Sequence, residues 1–205
     1  MSQRSFAVAM TGASGALYGL RLVDALTLAG HQVHLMISEP ARRVLLHEEG
    51  LQVADPPDLS LLFEQPDSIR YHPGNAVEAA PASGSADIEA VILCPCSMGT
   101  LGRVAHGYSS GLIERSADVA LKEGRKLILV PRETPPSLIH LENMSTLVRA
   151  VGIVLPPMPG FYHRPESIED LVRFVVGKIL HRLDVPSSWR KEWTGPEPDW
   201  EESQS

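Results

Sequence analysis

Residues 6–26 read FAVAMTGASGALYGLRLVDAL, and this stretch decides the fold. An apolar run ends at Thr11, a turn of small residues follows, and apolar residues then recur with helical spacing. This order predicts a strand, a tight turn and a helix, the arrangement that presents main-chain N–H groups to a phosphate. The turn has two glycines, Gly12 and Gly15, instead of the three of the dinucleotide fingerprint. The pattern leaves open which phosphate, if any, the turn holds.

The composition is that of a globular protein with one domain. Its 205 residues are enough for a complete core, and 43% hydrophobic with 21% charged residues is ordinary for such a chain. A net charge of −7 argues against a nucleic-acid partner, and no apolar run approaches the roughly 20 residues that span a bilayer. Cys94 and Cys96, one proline apart, suit neither an unstrained disulfide nor a zinc site. We therefore expect a reduced, cytoplasmic protein.

Apolar runs alternate with amphipathic stretches along the chain. The pattern predicts strands over residues 5–11, 31–38, 88–97, 126–133 and 152–157. It predicts helices over residues 16–29, 39–49, 98–105, 112–122, 138–150 and 168–183. Strand alternating with helix predicts an α/β fold with a doubly wound parallel sheet, in a single domain over residues 1–184.

Two segments lack this pattern. Residues 50–86 are rich in Pro, Asp, Ser and Gly, and we interpret them as a long irregular excursion, which in a compact domain is usually functional. Residues 185–205 form a polar, mostly acidic tail that carries Trp189, Trp193 and Trp200. We expect this tail to be mobile unless a partner buries the tryptophan rings.

Ligands of doubly wound sheets bind beyond the carboxyl ends of the strands. Ser38 and Ser97 end predicted strands, Ser14 lies in the turn after one, and each of the three serines precedes a predicted helix. Each serine alone is most simply a helix cap. Three of them at successive strand ends favour a site for a phosphate and its neighbouring polyol.

Charged residues on the helices have competing interpretations. Arg115 and Lys122 lie on one side of the predicted helix 112–122, where a solvated, salt-bridged face is the simpler reading. Glu48 lies at the end of a predicted helix, where a carboxylate opposes the macrodipole, and this hints at a use. His163 reads as a base or a loop residue, and Lys178 reads as a surface lysine.

Seven motifs occur in order: MTGASGALYGLRLVDAL, PASGS, CPCSMGTL, LIERSADVALKE, LVPRETP, IHLENM and PGFYHRPESIEDLV. Together they resemble the UbiX family of flavin prenyltransferases, over residues 6–183. The resemblance implies a Rossmann-like subunit that binds FMN, needs no metal and assembles into a large homo-oligomer, by family a dodecamer. It implies transfer of a dimethylallyl group from dimethylallyl phosphate to N5 and then C6 of reduced FMN. The product would serve UbiD-type decarboxylases.

The resemblance also assigns roles to residues, position by position. Ser14, Glu48 and Glu133 match the catalytic residues: Ser14 lies beside flavin and prenyl group, Glu48 handles protons, and Glu133 lies near the departing phosphate. The positions that match FMN contacts are Gly12, Ala13, Ser14, Ser38, Ser97, Met98, Gly99, Thr100 and Arg132. The positions that match the allylic-phosphate site, some of them from a neighbouring subunit, are Ser83, Arg115, Lys122, Tyr162 and Lys178.

Two positions depart from the family pattern. Lys178 stands where an arginine is expected, which keeps the charge but loses the bidentate fork and predicts weaker phosphate binding. Val77 stands where some members have a tryptophan over the prenyl pocket, so Tyr71 or Trp193 would have to cover it.

Three other functions stay open at this point: a flavin-dependent cysteine decarboxylase, an aromatic-acid decarboxylase and a non-catalytic flavin carrier. Glu48 beside His47, and the sequence HLENM at residues 140–144, disfavour the cysteine decarboxylase. The basic phosphate residues disfavour a carrier if they converge in space. The sequence does not separate a prenyltransferase from an aromatic-acid decarboxylase.

Overall fold

A parallel sheet of six strands runs through residues 2–189, the part of the chain that this computed structural model describes. The strands lie in the order β3-β2-β1-β4-β5-β6. Their bounds are β1 Ser5–Met10, β2 Gln32–Ile37, β3 Ile69–Tyr71, β4 Ala90–Cys96, β5 Lys126–Pro131 and β6 Ile153–Val154. The prediction of a doubly wound parallel α/β fold is confirmed.

Helices cover both faces of the sheet. Those on the first face are α1 Ala16–Leu28, α2 Glu39–Glu49 and α6 Ile168–Arg182, and those on the second face are α3 Met98–Ala105, α4 Leu112–Lys122 and α5 Leu138–Arg149. Successive residues of a strand pack alternately in the cores on the two faces of the sheet, because their side chains point to opposite faces. Ile92 of β4 packs in the first core and Leu93 in the second, and both are fully buried.

Helix α1 lies very close to β4. A Cβ atom on Gly19 would lie 2.5 Å from the carbonyl oxygen of Cys94, so only glycine allows this approach. The close contact brings the beginning of α1 over the carboxyl end of β4. The strand order reverses between β1 and β4, which is the switch point where such folds bind ligands.

Thr11 joins the ends of β1 and β4 at this switch point. Its main-chain N–H and its hydroxyl both donate to the carbonyl oxygen of Pro95, at 3.1 Å and 3.0 Å. Its Oγ1 in turn accepts a hydrogen bond of 2.7 Å from the N–H of Ser97. The turn after β1 and the first turn of α3 are therefore held side by side.

Three details differ from the sequence predictions. The strand β3 lies inside residues 50–86, which were expected to be irregular, and three short 3-10 turns accompany it: Leu59–Leu61, Pro66–Ser68 and Ala80–Ala82. The predicted strand over residues 152–157 is a strand only at Ile153–Val154. The packed core also passes the predicted boundary at residue 184, because Val185 is buried and Trp189 packs against it.

The remaining tryptophans, Trp193 and Trp200, lie outside the described residues. Among residues 2–189, no helix combines the length and the apolar character needed to cross a bilayer.

Candidate active site

The turn after β1 is held by a carboxylate from the end of α2. The first turn of α1 begins at Gly15, whose φ of 99° is in the left-handed region and which has no side chain to cap the helix. Glu48 does so instead: its Oε2 accepts hydrogen bonds of 2.9 Å from the N–H groups of Gly15 and Ala16. The N–H groups of Gly15 and Ala16, which the sequence pattern predicted to face a phosphate, are therefore bound to Glu48.

The environment of Glu48 keeps it ionised at neutral pH. Partial burial alone would raise its pKa, but the hydrogen bonds from the Ser14 hydroxyl and from the two main-chain N–H groups outweigh burial. The positive charge of Arg132 acts in the same direction, and the net result is a pKa below the usual value. The structure thus brings together Ser14, Glu48 and Arg132, three residues that the sequence could place only on separate segments.

The other two strand-end serines are helix caps. Ser38 begins α2 and accepts a hydrogen bond of 3.2 Å from the N–H of Ala41. Ser97 begins α3 and accepts one of 3.3 Å from the N–H of Thr100, while its hydroxyl lies 3.1 Å from Thr100 Oγ1. The simplest reading of these two serines is confirmed, and Ser14, which bonds a side chain instead, is the exception.

The donors around this crevice fit FMN. Beyond the carboxyl ends of β1 and β4 lie hydroxyl groups, the positive N-terminal end of α3 with Met98 and Gly99, and the Arg132 guanidinium. Phosphate oxygens and ribityl hydroxyls are the acceptors that such a donor set suits. Gly12 and Ala13 belong to the turn itself, and a Cβ on Gly12 would lie 2.4 Å from Pro40 Cβ, so the turn packs tightly on α2.

The segment after β5 also lies at the carboxyl ends of the strands. The N–H of Arg132 donates to the carbonyl oxygen of Cys96 at 3.3 Å, which holds the segment beside the end of β4. Arg132 and Glu133 are both exposed. The Glu133 carboxylate accepts a hydrogen bond of 3.1 Å from the N–H of Thr134, so it is held close to its own backbone.

Ser83 and Lys122 lie at the end of the sheet that is opposite to the turn after β1. Lys122 ends α4, just before β5 begins, and Ser83 precedes β4, so both lie at the amino ends of the strands. Lys122 Nζ is 3.2 Å from the place that a Cβ on Gly84 would occupy, which makes the two predicted residues neighbours. A six-residue strand spans roughly 20 Å. Within one chain, this pair is therefore about that far from the turn after β1.

Arg125 holds the loop that carries Ser83. Its guanidinium donates to the carbonyl oxygens of Ser83 at 3.3 Å, Ala86 at 2.7 Å and Gly84. Lys122 forms an ion pair with Glu123 beside the same loop. The sequence did not single out Arg125, because its partners are main-chain atoms that no side-chain pattern reveals.

The other predicted phosphate residues fall into a second group. Tyr162 and Lys178 share the ring of Phe174 on α6: the tyrosine ring lies 5.8 Å from it edge-on, and Lys178 Nζ lies 5.2 Å from its centroid. Arg115 is on α4, paired with Asp118 at 2.8 Å as the solvated-face interpretation predicted. Because α4 and α6 cover opposite faces of the sheet, a single chain does not bring Arg115 and Lys122 to Tyr162 and Lys178.

Sequence reasoning also missed Arg103 and Glu114. Arg103 on α3 and Glu114 on α4 form an ion pair of 2.7 Å, and the Glu114 side chain is 8% exposed. Two charges eleven residues apart, on different helices, give no short motif that could have revealed the pair. Within residues 2–189, no three His, Cys, Asp or Glu side chains are grouped so that they could hold a metal ion.

Sequence comparison places this geometry among known proteins. The chain matches the Flavoprotein family over residues 1–180. It is 48% identical over 192 residues to the flavin prenyltransferase UbiX of Pseudomonas aeruginosa, with 91% of this chain and 92% of that protein covered. It is 44% identical over 196 residues to the flavin prenyltransferase UbiX of Chlamydia pneumoniae, with 95% and 100% covered.

Solved structures agree with the sequence comparison. The crystal structure of AnUbiX in complex with FMN and dimethylallyl pyrophosphate has a TM-score of 0.87 and 38% identity, with 96% of this chain and 100% of that chain covered. A dodecameric FMN-dependent UbiX-like decarboxylase from Escherichia coli O157:H7 has a TM-score of 0.84 and 40% identity, with 93% and 100% covered.

The FMN-dependent cysteine decarboxylase TvaF is a more distant structure. It has a TM-score of 0.56 at 16% identity, with 86% of this chain and 99% of that chain covered, and so it shares the fold alone. High identity over nearly the whole chain, together with the matching fold, therefore decides the family. The chain is a flavoprotein and belongs to the UbiX family of flavin prenyltransferases.

Proposed function

We propose that this protein transfers a dimethylallyl group from dimethylallyl phosphate to reduced FMN. The observation that carries the proposal is the ionised Glu48 carboxylate, held by Ser14 and the first turn of α1 beside Arg132 at the switch point of the sheet. When bound, reduced FMN supplies the nucleophilic atoms N5 and C6. The product would serve UbiD-type decarboxylases.

The chain's own residues divide the binding of FMN among them. The first turn of α3, with Ser97 and Thr100, offers donors to phosphate and ribityl oxygens, and Arg132 adds a positive charge. In the proposed binding mode, Ser14 and Glu48 lie between these FMN-binding groups and the reacting atoms N5 and C6 of the flavin. Glu48 is suited to accept the proton that is released as the second bond forms, because it is ionised and not fully buried.

The allylic phosphate needs positive charge where its C–O bond breaks. The electron pair of that bond goes to the phosphate, and cations aimed at the oxygens stabilise the charge as it develops. Lys122, Arg115 and Lys178 would supply these cations, with Tyr162 and Ser83 as hydrogen-bond donors. This set would replace the metal that prenyl transfer commonly uses, and we propose a metal-independent reaction.

We propose that the phosphate site is completed between copies of the chain. Ser83 and Lys122 lie at the amino ends of the strands, whereas Tyr162 and Lys178 lie around Phe174 on the face of the sheet that α6 covers. Neighbouring subunits would therefore have to bring the two groups together. Helix α5 supports such an assembly: of its described residues Leu147 alone is buried, while Leu138 and Ile139 are 70% and 67% exposed. A dodecamer, the state named for the relative from Escherichia coli, is the assembly we propose.

The alternatives are less well supported. Likeness to the cysteine decarboxylase TvaF extends to the fold alone. A pure flavin carrier would have no need of a basic group such as Lys122 beside Ser83. Both thiols, Cys94 and Cys96, are free and buried, which supports the cytoplasmic location that we propose.

Anaerobic mass spectrometry tests the proposed function. The purified protein is mixed with reduced FMN and dimethylallyl phosphate, and the flavin is extracted and weighed. We expect a gain of one C5 unit, lost in Glu48→Gln and Ser14→Ala and retained in the matched control Glu49→Gln. Bound but unchanged FMN, with intact donor, would overturn the proposal and bring the decarboxylase and carrier functions forward.

A further inference from the structure

Helices α3 and α4 are joined by an ion pair that is nearly buried on one side. Arg103 Nε donates to Glu114 Oε1 at 2.7 Å, and the two side chains are 39% and 8% exposed. A buried carboxylate is strongly destabilising unless a cation satisfies it. Glu114 therefore fixes where the Arg103 guanidinium lies.

The same guanidinium reaches the first turn of α3. Arg103 Nη2 donates to Thr100 Oγ1 at 3.1 Å, and Thr100 Oγ1 lies 3.1 Å from Ser97 Oγ. The N–H of Ser97 donates to Thr11 Oγ1 at 2.7 Å, which ends the chain of contacts at the turn after β1. A continuous set of hydrogen bonds thus runs from α4 to the switch point.

The contact with Arg103 restricts how the hydroxyls of Ser97 and Thr100 can hydrogen-bond. A guanidinium only donates, so Arg103 takes a lone pair of Thr100, and the N–H of Thr100 takes a lone pair of Ser97. Ser97 and Thr100 carry two hydroxyl protons, and the bond between them uses one. In that bond Ser97 Oγ donates to Thr100 Oγ1, so the hydroxyl proton of Thr100 is the one that these contacts leave unused.

We propose that Arg103, held in place by Glu114, is a positioning residue for flavin binding. It keeps the Ser97–Thr100 hydroxyl pair oriented as a hydrogen-bond donor toward the phosphate or ribityl oxygens of FMN. Arg103 itself touches neither flavin nor prenyl donor in this assignment. The inference rests on the proposed function, which places FMN at the first turn of α3.

The affinity for FMN, measured by quenching of flavin fluorescence, tests the role of Arg103. We expect Arg103→Met to raise the Kd for FMN about tenfold or more, because charge-assisted hydrogen bonds are the stronger ones. Arg103→Lys should raise it less, because one ammonium keeps the charge for Glu114 but loses the fork that also reaches Thr100. The control Arg43→Met removes a solvent-exposed pair with Glu39 and should leave the Kd unchanged.

A double-mutant cycle separates positioning from general stability. If Arg103 acts through the hydroxyl pair, Arg103→Met should have little further effect on the Kd in a Thr100→Val background. Multiplicative effects in the cycle, or an unchanged Kd in both Arg103 variants, would overturn the inference, and so would a lower melting temperature with unchanged Kd. If the wild type binds and prenylates FMN and the Arg103 variants bind FMN equally well, this inference alone is refuted. If the wild type binds no FMN, the proposed function is refuted as well.

Discussion

Glu48 and Ala16 lie at the ends of two different helices, and the carboxylate Oε2 of Glu48 accepts a hydrogen bond of 2.9 Å from the N–H of Ala16. At the C-terminal end of α2 a carboxylate opposes the helix dipole, but the same carboxylate lies at the N-terminal end of α1, where negative charge is favourable. An acid that is unfavourably placed on its own helix is thus well placed on its neighbour. Because the N–H of Ala16 is bound to Glu48, the turn after β1 does not present it to a pyrophosphate. The turn therefore does not need the third glycine of the dinucleotide fingerprint.

Hydrogen exchange measures this cap directly. In Glu48→Ala, we expect the amides of Gly15 and Ala16 to exchange about 5–10-fold faster, because losing a helix cap costs about 1 kcal/mol. The matched variant Glu49→Ala should leave both amides protected. Because the pKa of Glu48 is lowered in the folded protein, protection should persist at pH 5 and disappear only below the usual pKa of a glutamate. Equal exchange in both variants would show that Glu48 does not cap α1.

Two leucines of α1 test how strongly the first core determines stability. Leu26 is fully buried and Leu28 is 53% exposed, so the same substitution has two expected outcomes within one helix. Leu26→Ala should lower the free energy of unfolding by about 2–5 kcal/mol, since it removes buried methyl groups and leaves a cavity. Leu28→Ala should stay within about 0.5 kcal/mol. Urea unfolding checks both, and similar losses in the two variants would contradict the packing described for α1.

Much of the fold could be predicted from the sequence because its signals are local. The apolar runs at β1, β4 and β5 are buried on both faces, so their composition alone marks them as strands. The strand β3 was missed because it has three residues and pairs only at the edge of the sheet. A pattern of period two cannot be recognised in three residues.

The candidate site was harder to predict because its contacts join distant segments. Glu48 was suspected for its place at the end of a helix, but its partner Ala16 lies 32 residues away. The sequence suggests no distance between Lys122 and Lys178, and only the packing of α4 and α6 on opposite faces shows that one chain keeps them apart. The resemblance to a family named these residues, and the structure says which of them a single subunit brings together.

A pair of stacked histidines predicts how stability depends on pH. His34 Nδ1 and His72 Nε2 are 2.8 Å apart, and because one nitrogen must donate and the other accept, the accepting ring is neutral. Burial lowers the pKa of both, and the neighbouring His34 and Arg70 help to bring that of His72 to about 4. These folded-state values lie below the unfolded value of about 6.5, so the stabilisation is complete above pH 6.5 and is lost as the pH falls toward 4.

Urea unfolding at pH 7.5, 6 and 5 tests this expectation. The free energy of unfolding should decrease as the pH is lowered, by about 2 kcal/mol between pH 7.5 and pH 5 from the shift of His72 alone. In His72→Phe the dependence between pH 7.5 and 5 should become shallower, whereas His47→Gln, which changes an exposed histidine, should follow the wild type. A wild type whose stability is constant over this range would contradict the neutral pair.

Lys178 tests the one departure from the family pattern at the proposed phosphate site. Its ammonium lies over the Phe174 ring, 5.2 Å from the centroid, on the same platform as Tyr162. An ammonium is a point charge, whereas the arginine fork bonds two phosphate oxygens at once, so Lys178→Arg should lower the KM for dimethylallyl phosphate about 3–10-fold. The turnover number should change little if the gain is uniform binding of substrate and transition state. Lys178→Met should raise the KM, and the control Arg182→Lys, an exchange at an exposed position of the same helix, should have no effect. If all three variants share the wild-type KM, Lys178 does not contact the donor phosphate, and the cations that do must come from the group around Lys122.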